Sequence, residues 1–279
     1  MKLCAACAVV FAVATAGPEG QSPDREVLLR RAADYLVTFV EGLSNVVAEE
    51  EYQQSFREGA GRRRLKSDFL LVLYPGDENN FLAFRDVIEV NGRPVTDQQD
   101  RLLTLFVEPY KDPLVRASEI ASASAGHSMA RGRLVNPLFV IALLQRHYQP
   151  RFRFSLKDLE PKLGPDVREI ELFESVAPKP SGPQPIHAVA WVNEITGRVV
   201  KTELRAGKAP STALLTTTFG TDPVLGVDVP LEMRDLYLVG ATGSSALATA
   251  DEYIGVAKYT RFRRFQVHVA ETIDTPSRR

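Results

Sequence analysis

The chain has 279 residues, with 34 basic and 35 acidic side chains and a formal net charge of −1. That near-balance argues against a dedicated nucleic-acid binder, which carries a strong basic excess. A chain of this size buries about 70–75% of its unfolded surface on folding, so it needs no covalent staple.

The first sixteen residues read as a signal peptide. Lys2 supplies the positive start, Leu3 to Val13 the apolar stretch, and Ala14-Thr15-Ala16 a small-residue cleavage site before Gly17. The apolar stretch is shorter than the roughly 20 residues needed to span a bilayer. The expected product is therefore exported, to the periplasm or the medium, and at most peripheral to a membrane. Cleavage near Ala16 removes Cys4 and Cys7, the only cysteines. Their C-x-x-C spacing is then neither a redox nor a metal motif. A start farther upstream would instead make Cys7 a lipidation site. Residues 17–25 read as a linker, 26–274 as one domain, and 275–279 as a disordered tail.

Ser22-Pro23-Asp24 has the chemistry of a helix start: a cap residue, a proline in the first turn and an early acid. Leu28, Ala32, Leu36, Phe39, Leu43 and Val46 follow at spacings of three and four, predicting one amphipathic helix of about 22 residues lying across a sheet. Glu49 to Phe56 is an expected first strand, residues 59–64 a turn, and Asp68 to Tyr74 and Phe81 to Val90 the next two strands. Asn91-Gly92 is a strong hairpin signal, because both residues tolerate positive φ.

A helical middle follows. Thr96-Asp97-Gln98-Gln99 has capping-box form before Leu102, Leu103 and Phe106. Asp112-Pro113 opens a segment running to Ala125, and Asn136-Pro137 opens Leu138 to Leu144. That last run is apolar all round, so it must be buried on every side or cover an apolar opening. A second run of strands is expected at Arg151 to Leu156, Val167 to Glu174, Ile186 to Asn193, Arg198 to Arg205, Ala213 to Phe219, Val227 to Tyr237 and Val256 to Val269. Gly240 to Ala250 reads as a loop.

Catalytic motifs do not emerge. His127, His147, His187 and His268 are too far apart to form a helical metal pair, and there is no H-E-x-x-H or G-x-S-x-G. No metal site, cofactor or catalytic residue is expected. The acid run Glu49-Glu50-Glu51 reads as a solvated strand start. An enzyme whose site is assembled from remote residues leaves no local mark. Arg151-Phe152-Arg153-Phe154 and Lys258 to Phe265 alternate basic and aromatic residues. On a strand that spacing makes one wet face and one apolar face, and it also suits a rim of cations beside an apolar pocket.

One stretch carries a resemblance. Ala190-Trp191-Val192-Asn193-Glu194-Ile195-Thr196-Gly197-Arg198-Val199-Val200-Lys201 is similar to a hairpin of the LolA/LolB-like lipoprotein-carrier fold, shared with the sigma-factor regulator RseB. Val229-Pro230-Leu231-Glu232-Met233 resembles a following strand of that family. Arg64 to Phe69 and Phe84-Arg85-Asp86-Val87 resemble segments of uncharacterised secreted bacterial proteins. The resemblance implies an α+β fold, an antiparallel unclosed half β-barrel wrapped around or covered by a few helices. It also implies a non-catalytic envelope protein that binds a lipid, a lipoprotein or another hydrophobic ligand.

Strand parity and side-chain size make Phe69, Leu71, Phe84, Val189, Trp191, Phe219, Tyr259 and Phe265 the candidate cavity lining. Leu138, Phe139 and Ile141 form the candidate lid. Expected partners are a lipid or an acylated protein, and not nucleic acid. The alternative is a protein-interaction module with a filled core and no small-molecule ligand.

Overall fold

The computed structural model describes residues 23–56, 61–74, 77–95, 113–129, 135–175, 185–208, 211–239 and 251–265. The expected signal peptide, the capping-box helix at Thr96, the loop at 240–250, His268 and the tail lie outside them.

Helix α1 (Pro23–Leu43) leads into strands β1 (Val46–Phe56), β2 (Arg62–Tyr74), β3 (Asp77–Val90) and β4 (Arg93–Pro94). Helix α2 (Pro113–Ala125), a short helix α3 (Phe139–Ala142) and a 3₁₀ turn (Gln149–Arg151) form the middle. Seven strands follow: β5 (Phe152–Leu159), β6 (Val167–Glu174), β7 (His187–Asn193), β8 (Val199–Lys208), β9 (Ser211–Thr221), β10 (Asp228–Val239) and β11 (Asp251–Arg264).

All eleven strands form one antiparallel sheet in the order β4-β3-β2-β1-β11-β10-β9-β8-β7-β6-β5. Two meanders are thus joined by the last strand, β11, which pairs with both β1 and β10. The end strands β4 and β5 do not pair with each other, so the sheet is not closed into a barrel. This is the α+β half-barrel architecture expected.

Several boundaries shift for local reasons. Val46 starts β1 rather than extending the helix, because Ser44 turns back onto the Glu41 carbonyl through both its N–H and its hydroxyl. The two β-branched residues that follow, Val46 and Val47, suit a strand better than a helix. Arg62 to Arg64 are strand rather than turn, paired with Gln53 to Ser55 across the β1–β2 hairpin. At the β3–β4 turn, Asn91 and Gly92 both take positive φ, 51° and 79°, as their chemistry allows.

Pleat alternation sorts the core into two faces. The helix-covered face carries the main cluster, in which Leu28, Leu36, Phe39, Val40 and Leu43 of α1 and Ile141 of α3 meet buried residues such as Tyr52, Ile170, Leu172, Val199 and Met233. The opposite face carries two smaller clusters. One joins Val47, Leu70, Val72 and Phe84 to Ala117 and Ile120 of α2. The other joins Val167, Val189 and Trp191, with Lys201 lying over the Trp191 ring at 4.2 Å.

Candidate hydrophobic-ligand face and its helical cover

The eight candidate lining residues divide between the two faces. Phe69, Leu71, Phe219 and Tyr259 lie together under the helices. There the Phe69 and Tyr259 rings are 5.2 Å apart, and Phe219 stands edge-on to Phe39 of α1 at 5.8 Å. Phe84, directly across from Leu70, and Phe265 pack on the other face beside α2. Val189 and Trp191 also point away from α1 and α3.

Two features of the sheet explain the division. Arg261 takes a positive φ of 50°, and the β1–β11 register shifts between Val47 and Glu49. That bulge moves Phe265 off the face that simple alternation from Tyr259 would give it. On β7, the residues beneath the helices are the small Ala188 and Ala190 with Val192, which leave room for α3. Choosing by size therefore selected the pleat that faces away from α1 and α3 there.

α1 is held to the sheet along its length. Arg25 Nη1 donates to the Phe154 carbonyl at 3.0 Å, and Arg31 Nη1 to the Glu194 carbonyl at 2.5 Å. Tyr35 donates to Asp228 Oδ2 at 2.9 Å. Asp228 in turn accepts two bonds from Arg198, at 2.8 and 2.9 Å, and one from Thr221 at 2.6 Å. Burial raises the Asp228 pKa, but the Arg198, Thr221 and Tyr35 hydrogen bonds outweigh it and hold the carboxyl below its ordinary value. The Thr-Gly turn that carried the family resemblance is thus the seat of α1. Gly197 has φ +74° and touches the Arg31 backbone.

The second part of the cover is the segment around α3. Leu138, Val140, Ile141, Leu143 and Leu144 are buried, whereas Phe139 is 38% exposed. Of the candidate lid, Leu138 and Ile141 face inward and Phe139 faces out. Gln149 bridges the Leu29 and Leu144 carbonyls, and Arg146 pairs with Asp34 of α1. A small crevice of ~10 Å³ lies beside Phe69 and Phe262. A larger hollow, ~140 Å³, lies along the seam of the two segments, between Leu36, Val37 and Val40 of α1 and Arg146 and His147.

The middle of the covered face holds a polar network that the sequence did not reveal. Glu50, the middle residue of the acid run, is fully buried, so the reading of that run as solvated holds only for its neighbours. Alternation sends Glu49 and Glu51 outward, to Lys66, Arg261 and Arg64. Glu50 turns inward and accepts a bidentate pair from Arg85, at 2.6 and 2.7 Å. Arg85 also donates to the Val135 carbonyl at 2.8 Å and to the Tyr259 hydroxyl at 3.4 Å. Burial disfavours the Arg85 charge, but the Glu50 carboxylate more than offsets it and holds the guanidinium above its usual pKa. Nearby, Tyr52 donates to Asp235 Oδ1 at 2.8 Å and lies 3.0 Å from the Tyr253 hydroxyl. Burial pushes the Asp235 carboxyl up to about 6, against the Tyr52 hydrogen bond and the Arg85 charge. Gly255 leaves the space these groups occupy, since a Cβ there would stand 2.1 Å from Asp235 Oδ1.

These groups tie β1, β3, β10 and β11 to one another and to the Val135 segment. Among the described residues, no group of three or more His, Cys, Asp or Glu could hold a metal ion, and no helix is long and apolar enough to cross a membrane.

No protein-family model matches the chain, and no curated protein is significantly similar to it. Solved structures are. A LolA superfamily protein from Nitrosomonas europaea is 13% identical, with 85% of this chain and 94% of that one covered and a TM-score of 0.40. An outer membrane lipoprotein-sorting protein domain from Vibrio parahaemolyticus is 16% identical over 87% and 94% of the two chains, at 0.40. A protein of the DUF1329 family from Desulfovibrio piger is 13% identical over 88% and 94%, at 0.39.

Proposed function

We propose that the protein is a non-catalytic, exported envelope protein that binds the acyl part of a lipid or lipoprotein against the helix-covered face of its sheet. The observation that carries this reading is the construction of that face. An unclosed sheet presents a broad apolar surface around the buried Glu50–Arg85 network, and its cover is made of two helical segments that come from outside the sheet and meet along a hollow seam.

Magnitudes limit how the ligand enters. Leu28, Leu29, Leu36, Phe39, Val40 and Leu43 of α1 are all buried. At roughly 1.5–3 kcal/mol each, lifting the whole helix would lose on the order of 10 kcal/mol or more. A 12-carbon chain, at about 0.8 kcal/mol per methylene, supplies roughly 10 kcal/mol gross. One acyl chain therefore suits a tilt or slide of the cover at its seam and not its full release.

A second reading rests on the side chains packed under the cover, where Phe219 stands against Phe39 and Phe69 against Tyr259. With the core filled, the chain would be an interaction or sensor module that takes no small molecule. Native mass spectrometry of the purified protein, with lipid analysis of an organic extract, separates the two. An acyl-bearing adduct at one per chain is expected. A bare mass that gains nothing from added lipids or acylated peptides would leave the interaction module.

A further inference from the structure

The outer surface of the β1–β2–β11 region holds a feature unrelated to the covered face. A groove of about 560 Å³ runs beside the β1–β2 hairpin, within the size range of small-molecule sites. Among the described residues, its lining includes Arg62, Arg63 and Arg64 and no carboxylate. Arg62 and Arg64 are two apart on one strand, so they project from the same pleat, while Arg63 turns the other way and donates to the His127 carbonyl at 2.6 Å.

The donors in this groove are only partly used. The Arg62 side chain makes no hydrogen bond or ion pair among the described residues. Arg64 meets Glu51 at 3.3 Å, but both side chains are more than half exposed, so the pair is weak and exchangeable. Asn91 accepts from the Arg64 backbone through Oδ1, which leaves its amide N–H₂ pointing elsewhere. Ser55, opposite Arg62, adds a hydroxyl. Ile254 and Val256 give one wall that is apolar.

We infer that this groove is a binding site for a phosphate group, gripped between Arg62 and Arg64 and supported by Ser55 and Asn91. Guanidinium forks match the tetrahedral oxygens of phosphate, the neutral donors around them add hydrogen bonds, and a phosphate would displace the exposed Glu51 carboxylate from Arg64. The Ile254 and Val256 wall would carry the apolar part of whatever bears the phosphate. That bearer is an anionic phospholipid headgroup at a membrane surface or a soluble phosphate compound. The inference does not rest on the acyl-binding reading.

The test uses the full chain in two arms. Flotation compares vesicles of phosphatidylcholine alone with vesicles containing phosphatidylglycerol, and calorimetry titrates inorganic phosphate and pyrophosphate. Arg62→Gln with Arg64→Gln is compared with Arg153→Gln with Arg205→Gln, which removes equal charge from strands of the same sheet far from the groove. Loss of the groove pair should weaken binding roughly thirtyfold, and the control pair should change it little. Both pairs should melt as the parent does, since each is exposed. Binding to the anionic vesicles alone assigns a lipid headgroup, and saturable phosphate binding without vesicle binding assigns a soluble compound. Absence of both, or equal losses in the two double variants, would overturn the proposal.

Discussion

Gly197, in the turn between β7 and β8, lies against the carbonyl of Arg31 in α1: a Cβ at Gly197 would stand 2.2 Å from that oxygen. The turn has no room for a side chain because it is where the helical cover is seated. Gly197→Ala should therefore do more than strain a left-handed backbone, which alone costs about 1–3 kcal/mol. It should also lift α1 and open the seam. Denaturant unfolding is expected to show a loss at or above that range, with faster uptake of a fluorescent fatty acid. Unchanged stability would mean that α1 is not held there.

The Glu50–Arg85 pair should behave as a buried ion pair. Removing one partner, as in Glu50→Gln or Arg85→Met, leaves an uncompensated group in the core and should cost about 3–5 kcal/mol. The double variant Glu50→Leu with Arg85→Met should recover much of that loss. Glu49→Gln, at a partly exposed neighbour, should change stability by no more than about 1 kcal/mol. A double-mutant cycle in urea measures all of these.

Asp235 gives the pH dependence a definite sign. Its carboxyl sits at about 6 when folded, above the ordinary 3.8, so the folded state holds the proton more tightly than the unfolded chain. Its stabilising contribution is present in full below the unfolded pKa and is lost as pH rises through about 6. At 1.36 kcal/mol per unit, the loss between pH 4 and 7 is on the order of 3 kcal/mol. Asp235→Asn should remove this dependence. The stability difference between parent and variant, followed by urea unfolding across that interval, should therefore change steadily. A constant difference would show that Asp235 is not the titrating group.

Much of the architecture could be read from local chemistry. The apolar stripe of α1, the Asn91-Gly92 turn and the alternation of Ile170 and Leu172 with Glu169 and Glu171 each determine a local conformation, and the structure bears them out. Which face a residue occupies could be read only where alternation runs unbroken. The bulge at Arg261 reverses it before Phe265, and on β7 the face under the cover belongs to alanines that size alone would pass over. The Glu50–Arg85 pair could not be read, because its partners come from β1 and β3 and are not neighbours in sequence. Strand alternation held one signal: the central residue of three consecutive glutamates must face opposite to the other two.

Entry of an acyl chain by this route requires α1 to tilt or slide against the sheet, and a disulfide can test that movement. An ideal Cβ on Gly42 lies 3.4 Å from the Val227 Cβ, close to the spacing of a disulfide. In a chain with Cys4 and Cys7 replaced by serine, Gly42→Cys with Val227→Cys would lock α1 to the entrance of β10. Uptake of a fluorescent fatty acid is then measured before and after reduction. The expected result is no uptake when oxidised and parental uptake when reduced. Equal uptake in both states, or none in either, would contradict a cover that opens for an acyl chain.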